Sequence, residues 1–222
     1  MPAILFDIDG TLLDSVDLHA RAWQEAFQAF GKDIPFDLIR SQIGKGGDQL
    51  LPAFLTPAEL ASRGKEIERW RSDVWKSRYM REVRPFPGVR PLFTALHGRC
   101  WTPVLASSSK EDEIEVYIQV LDIADLIEAK TSKDDVARSK PAPDIFAAAL
   151  DRVPAKDRPG AWVVGDSPWD AIAASRLSLP VIGFRSGGFP EADLLGAGAR
   201  MLFDGPADLL AHLDRSPFDD RC

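Results

Sequence analysis

The stretch Ala3-Ile-Leu-Phe6-Asp7-Ile-Asp9-Gly10-Thr11 decides the fold. Ala3–Phe6 is a short, unbroken apolar run, the pattern of a strand buried on both faces. It ends abruptly in carboxylates and a glycine that permits a sharp turn. Three later runs behave the same way. Trp101–Ala106 stops at Ser107-Ser-Ser, Ala161–Val164 at Gly165-Asp-Ser, and Leu179–Phe184 at Arg185-Ser-Gly-Gly. Helical patterns at Val89–Leu96, Glu111–Leu121, Asp144–Asp151 and Trp169–Arg176 separate these runs. Strands alternating with helices predict an α/β protein, a parallel sheet with helices on both faces.

Residues 15–81 break that alternation. Val16–Phe30 reads as a helix with His19, Trp23, Ala26, Phe27 and Phe30 on one stripe. Pro57–Tyr79 reads as a second long helix, with an interruption expected near Gly64. Between them, Ile43-Gly-Lys-Gly-Gly-Asp48 reads as a flexible loop. The expectation is an all-helical cap, 15–81, inserted into a core made of 1–14 and 82–222. Two chain crossings would let it move as a lid.

Composition limits the function classes. The chain has 222 residues, 45% hydrophobic and 27% charged, which is ordinary globular composition. The formal net charge of −7 argues against a nucleic-acid partner. Thr56–Arg81 nevertheless carries seven basic residues against four acidic. That is a solvated helix face or an attractor for a small anion. No apolar run approaches the roughly 18–20 residues of a membrane span, so no membrane partner is expected. Residues 1–15 hold Asp7, Asp9 and Asp14 and no basic residue, unlike a secretory signal. Two cysteines, Cys100 and Cys222, are too few for a disulfide framework, and a reducing cytoplasm is the default expectation.

Ligands of open parallel sheets bind beyond the carboxyl ends of the strands. The polar residues there are Asp7, Asp9, Ser107 and Asp166, with Lys140 in a loop before a helix. Asp7 and Asp9, two apart, share one side if the strand persists. An isolated Asp-Gly is usually just a turn. Here Asp166 closes a second strand, and Asp170 follows one helical turn later. Converging carboxylates suggest a hard divalent cation, and magnesium suits oxygen ligands and substrate phosphate. Thr11, Ser107 and Lys140 add donors for an anion with several oxygens, which describes a phosphoryl group. The pattern does not by itself choose between Asp7 and Asp9 as nucleophile.

Four motifs in order, Asp7-Ile-Asp9-Gly-Thr11-Leu-Leu, the Ser107 that ends Val-Leu-Ala-Ser, Lys140-Pro-Ala-Pro-Asp144 and Gly165-Asp166-Ser-Pro-Trp-Asp170, resemble the haloacid dehalogenase superfamily of phosphotransferases. The resemblance covers nearly the whole chain. It implies a doubly wound, Rossmann-like core and a helical cap of the branch containing phosphoglycolate phosphatases, sugar-phosphate phosphatases and β-phosphoglucomutases. It implies Asp7 as nucleophile, forming an aspartyl-phosphate. Asp9 would be general acid, then base. Magnesium would be held by the Asp7 carboxylate, the Asp9 carbonyl and Asp166. Thr11, Ser107, Ser108 and Lys140 would hold the phosphoryl oxygens. Asp170 would orient the metal's waters or Lys140. Dehalogenation itself is disfavoured, because dehalogenases lack the second aspartate that Asp9 supplies.

The expected activity is therefore a magnesium-dependent phosphatase acting on a small phosphorylated metabolite, as a monomer. The alternative is a hexose-phosphate mutase of the β-phosphoglucomutase type, and a third reading is a binding protein on the same scaffold. The cap is expected to set the substrate. His19, in His19-Ala-Arg-Ala-Trp23, is either a substrate contact or a packed histidine. The loop Gly44–Asp48 lacks the arginine that the mutases use on a second phosphate, which leaves Lys45 and the backbone at Gly46 as candidates. Lys76, on the last cap helix, is either a distal substrate contact or a surface charge.

Overall fold

A computed structural model describes all residues, 1–222. Ala3–Phe6 forms β1, and every one of its residues is buried. Thr102–Ala106 (β4) lies parallel to it on one side and Trp162–Gly165 (β6) on the other. Ala129–Thr131 (β5) extends the sheet beyond β4. Val181–Phe184 (β7) and Ala199–Phe203 (β8) extend it beyond β6. The order β5-β4-β1-β6-β7-β8 means that the chain builds outward from β1 in one direction and then returns to build in the other. The order reverses between β1 and β6, so the loops leaving those two strands diverge and open a crevice at their carboxyl ends.

Helices Val89–Gly98 (α5), Glu111–Leu121 (α6), Asp144–Asp151 (α7), Pro168–Ser175 (α8), Glu191–Ala197 (α9) and Pro206–Ala211 (α10) complete the core. One face of the sheet is packed by Phe93, Leu96, Tyr117 and Phe218 among others, and the opposite face by Phe146, Ala149 and Ala173. Two edge strands escaped the sequence reading. β5 is only three residues long and half-exposed, and β8 carries Arg200 in its middle and is buried fully only at its ends. Edge strands pack on fewer sides and therefore show no continuous apolar run.

The helical insert leaves and rejoins the core through a short antiparallel pair, Leu13–Asp14 (β2) and Arg84–Pro85 (β3). Between them lie Val16–Ala29 (α1), Phe36–Arg40 (α2), Gly47–Leu50 (α3) and Pro57–Val74 (α4). The insert has its own core, with Trp23, Phe27, Ile39, Leu50 and Ile67 packed together. Each such side chain contributes about 1.5–3 kcal/mol by leaving water. The interruption expected at Gly64 does not occur: α4 runs through it. A single glycine costs a helix only about 1 kcal/mol, and the Thr56–Glu59 capping box secures the helix start. The departure comes later, as a π turn over Trp75–Tyr79.

One expectation is corrected. Cys100 and Cys222 form a disulfide, with their Cα atoms 5.4 Å apart. The sequence hides this pairing because 122 residues separate the two. The tail returns because Phe218 inserts against Trp101, and Trp101 Nε1 donates to the Asp219 carbonyl at 2.9 Å. No helix is long and apolar enough to cross a membrane.

Candidate active site

The crevice beside β1 collects the carboxylates. Asp7 directly follows β1, and its backbone N–H donates to the Val164 carbonyl of β6 at 2.9 Å. Asp166 directly follows β6. Asp170 lies in the first turn of α8, where its Oδ2 accepts from Ser167 N at 3.1 Å and Ser167 Oγ at 2.6 Å. The contact that starts the helix thus also fixes the Asp170 rotamer. Asp7, Asp166 and Asp170 are all buried, and one oxygen from each lies within 4.8 Å of the others.

Two groups bind this cluster together. The Lys140 ammonium, 1% exposed, donates to Asp7 Oδ1 and, at 2.7 Å, to Asp170 Oδ1. Thr11 Oγ1 lies 2.9 Å from Asp166 Oδ1 and 3.3 Å from Asp7 Oδ2. Gly10 makes the approach possible. Its φ is +83°, and a Cβ there would lie 2.3 Å from Asp166 Oδ2.

The electrostatics leave the cluster short of positive charge. Burial pushes the Asp7 carboxyl up to about 7, against the pull of Lys140. Asp166 is pushed well up by burial and by the charges of Asp170 and Asp7. Burial alone would lower Lys140, but Asp170 and Asp7 outweigh it and hold the ammonium charged. Three buried carboxylates facing one ammonium fit a divalent oxygen-seeking cation such as Mg²⁺. Asp170 accepts three hydrogen bonds over its two oxygens, whereas Asp7 accepts from Lys140 and shares the single Thr11 proton with Asp166, whose Oδ2 accepts none.

Asp9 faces elsewhere. Its Oδ1 accepts from Ser15 Oγ at 2.6 Å and meets His19 Nε2 at 2.8 Å, while Oδ2 accepts from Ser109 Oγ at 2.8 Å. Burial would raise its pKa, yet His19, Ser15 and Ser109 together hold it below the usual carboxylate range. Ser15 precedes α1 but makes no side-chain cap to that helix, and its hydroxyl donates to Asp9 instead.

A small cavity opens at Asp7 and Asp9 and runs under the cap. Ser108 lines it, with a buried hydroxyl that has no partner. Ser107 Oγ accepts from Ser109 N at 3.0 Å. Lys45 and Gly46 line it from the cap. Lys45 Nζ sits 3.8 Å from the centre of the Trp169 ring and donates to Gln42. Gly46 is crowded onto the core, since a Cβ there would lie 2.1 Å from Ser139 Oγ. Asp48 and Lys133 also tie cap to core, through Ser139 N at 3.1 Å and Glu68 at 2.8 Å. A wider apolar cleft between α2 and α9 holds none of the clustered carboxylates.

The cap expectations divide. His19 is buried, stacks on Trp75 with ring centres 3.6 Å apart, and joins Asp9 to Arg71. It is therefore a packed residue and a polar link at once. Lys76, expected as a distal substrate contact or a surface charge, pairs with Asp112 at the surface and does not line the cavity. Its neighbour one turn earlier on the same chain segment, Arg71, lines the cavity instead. The sequence reading singled out neither Arg71 nor Ser109, Glu113 and Lys133, all of which line it. The local basic excess in Thr56–Arg81 was the available signal for Arg71, but only packing shows which of those cations turns inward.

Comparison with known proteins agrees with this geometry. The family model for haloacid dehalogenase-like hydrolases matches residues 1–177. A phosphoglycolate phosphatase of Cereibacter sphaeroides is 31% identical over 228 aligned positions, covering 96% of this chain and 99% of that protein. A phosphorylated carbohydrates phosphatase of Thermotoga maritima is 25% identical, over 69% of this chain and 71% of its own length. The crystal structure of a hydrolase from Pseudomonas syringae superimposes with a TM-score of 0.86 at 29% identity, covering 97% of this chain and 99% of that one.

Proposed function

The chain belongs to the haloacid dehalogenase-like hydrolases, and we propose that it is a magnesium-dependent phosphatase that cleaves a small phosphorylated metabolite through an aspartyl-phosphate on Asp7. One observation carries the reading. Lys140 is buried between Asp7 and Asp170, beside Asp166, where β1 and β6 end. A structural core gains nothing from burying an ammonium among three carboxylates. A site for a dianion does, because Asp7 and Asp166 can bind the metal, Lys140 can bind a phosphoryl oxygen and Asp170 holds Lys140 in place. In this reading residues 1–14 and 82–222 are the catalytic core and 15–81 the cap.

One carboxylate oxygen of Asp7 attacks phosphorus to form the acyl phosphate as the bond from phosphorus to the leaving oxygen breaks and that oxygen takes a proton from Asp9. Water then attacks the phosphorus of the acyl phosphate, giving its proton to Asp9, and inorganic phosphate leaves with the Asp7 carboxylate restored. Asp7, Asp166 and the Asp9 carbonyl would hold Mg²⁺, with Asp170 holding Lys140 in place. The metal supplies charge neutralisation between an anionic nucleophile and an anionic substrate. Lys140, Thr11, Ser107 and the unpaired Ser108 hydroxyl offer donors to the transferring oxygens. Asp9 serves the leaving group. Its three donors favour the carboxylate, the form that takes a proton from water when the acyl phosphate is hydrolysed. In the first half it must carry a proton, and the dianion binding opposite it favours that form.

The mutase alternative needs a cap cation for a second phosphate. Lys45, the candidate for that task, is engaged by Trp169 and Gln42, which leaves Arg71 as the cap cation lining the cavity with a free N–H. Phosphate release from a hexose phosphate, against its isomerisation, separates the phosphatase from the mutase. The relatives that act on phosphoglycolate and on phosphorylated carbohydrates support a small phosphorylated metabolite as the substrate class. The test is phosphate release from a panel of about a hundred phosphorylated metabolites with Mg²⁺, in the parent and in Asp7→Asn. Turnover in the parent and none in the variant is expected. Appreciable hydrolysis by pure Asp7→Asn would falsify the nucleophile.

A further inference from the structure

Glu113 is the unexplained group of the cavity. It lies in the first turn of α6 with Glu111 and Asp112. The helix dipole accounts for acids in a first turn. It does not account for burying one of them. Glu111 pairs with Lys130 and Asp112 with Lys76 near the surface. Glu113 is 1% exposed, lines the cavity, and its Oε1 is buried with no hydrogen-bond partner. An unpaired buried carboxylate oxygen is costly, and a ligand group that donates to it removes the cost.

The cap supplies the matching half. Arg71 lines the same cavity, and its Nε–H is buried without a partner, while another of its nitrogens donates to His19. The other cations lining this cavity are committed. Lys133 is bound to Glu68, Lys45 lies on Trp169, and Lys110 donates to Ser72 Oγ at 3.3 Å. Apart from the Ser108 hydroxyl, which the phosphoryl group would take, the cavity presents a free acceptor on Glu113 and a free donor on Arg71. A hydroxyl group can donate to the first or accept from the second. A carboxylate could accept from Arg71 but has no proton to give Glu113, whose Oε1 it would leave unpaired beside a second negative charge.

Resting on the phosphatase reading, we propose that Glu113 is a specificity residue that accepts a hydrogen bond from a hydroxyl of the leaving group and repels leaving groups that carry a carboxylate. The substrate is then a phosphorylated sugar or polyol, and an acid such as 2-phosphoglycolate is discriminated against.

The experiment measures kcat/KM with Mg²⁺ for a set of hexose and pentose phosphates and for 2-phosphoglycolate, in the parent and in Glu113→Gln. p-Nitrophenyl phosphate reports separately whether the parent is a phosphatase at all. The parent is expected to prefer at least one sugar phosphate over 2-phosphoglycolate by about tenfold or more, the scale of one hydrogen bond to a charged group. Glu113→Gln removes the charge at constant shape, so that ratio should fall at least about tenfold. A parent that prefers 2-phosphoglycolate overturns the proposal without need of any variant. So does a variant whose ratio equals the parent's. No hydrolysis of any phosphoester by the parent, p-nitrophenyl phosphate included, sinks the phosphatase reading and the proposal with it.

Discussion

Lys140→Met tests the electrostatic centre of the site. Methionine keeps the length and apolar body of the lysine and deletes only the ammonium. The parent ammonium is 1% exposed and bonded to Asp7 and Asp170, which are 4% and 1% exposed. Removing one partner of a buried ion pair costs about 3–5 kcal/mol, because the remaining charge is left uncompensated. For a chain of this size each kcal/mol lowers Tm by about 2–4 °C. The expected loss is therefore about 6–20 °C in EDTA at pH 7. Mg²⁺ should recover more Tm in the variant than in the parent, since it becomes the only cation in the cluster. The pH dependence has a definite sign. The folded-state pKa of Asp7 is raised from 3.8 to about 7, so the folded protein binds a proton that the unfolded chain releases. Loss of Lys140 raises it further. Metal-free variant should therefore gain stability as pH falls from about 8 toward 5, where an ordinary salt-bridged carboxylate would give a loss. Differential scanning calorimetry of both proteins, with and without Mg²⁺, checks each point. A Tm within about 2 °C of the parent in EDTA, with no inverted pH trend, refutes the assignment of Lys140 as the cluster's internal counter-charge.

Asp9→Asn should lower turnover by roughly 10²–10⁴-fold on alkyl phosphates and less on p-nitrophenyl phosphate, whose leaving group needs little protonation; equal losses in parallel steady-state assays would remove the acid role. EDTA should abolish activity and Mg²⁺ restore it, whereas Ca²⁺, with its larger and looser shell, should restore it poorly; full turnover in chelator would contradict the cation fit of Asp7 and Asp166. Lys76→Ala should leave substrate ranking unchanged and alter stability by no more than about 1 kcal/mol, since its pair with Asp112 is at the surface; a changed ranking would show that the cap opens far enough to bring it inward. Asp48→Ala removes an acceptor of the Ser139 N–H, one of the ties between cap and core, so KM should rise more than kcat falls; a pure kcat effect would mean that this tie does not govern cap closure.

The motif residues were legible in the sequence because local rules place them. An apolar run must be buried, a buried strand in a parallel sheet must end at a loop, and Asp7, Ser107 and Asp166 sit where those runs stop. The alternation of strands and helices fixed the α/β class for the same reason, and the long helical stretch after Asp14, with no strand pattern in it, marked the insert. What tertiary structure alone decided involves residues far apart in the chain. Asp9 and Asp7, two residues apart, face different partners because Ser15, His19 and Ser109 draw Asp9 toward the cap side. Arg71 enters the cavity while Lys76 leaves it, because the helix phase and then the π turn at Trp75–Tyr79 set which cations point inward. Glu113 sits among the like-charged Glu111 and Asp112, and the one sequence signal that sets it apart is its place four and eight residues before Tyr117 and Leu121, on the buried stripe of α6. Its place in the cavity is settled only when α6 packs with one side toward the cap and buries that one of three adjacent acids. The Cys100–Cys222 bond likewise depends on a tail that returns to the start of β4, where Phe218 meets Trp101, a contact that no local pattern encodes. Periodicity reports which residues are buried. Which buried polar groups face one another depends on how distant elements pack, and that pairing sets the chemistry of the cap side of the site.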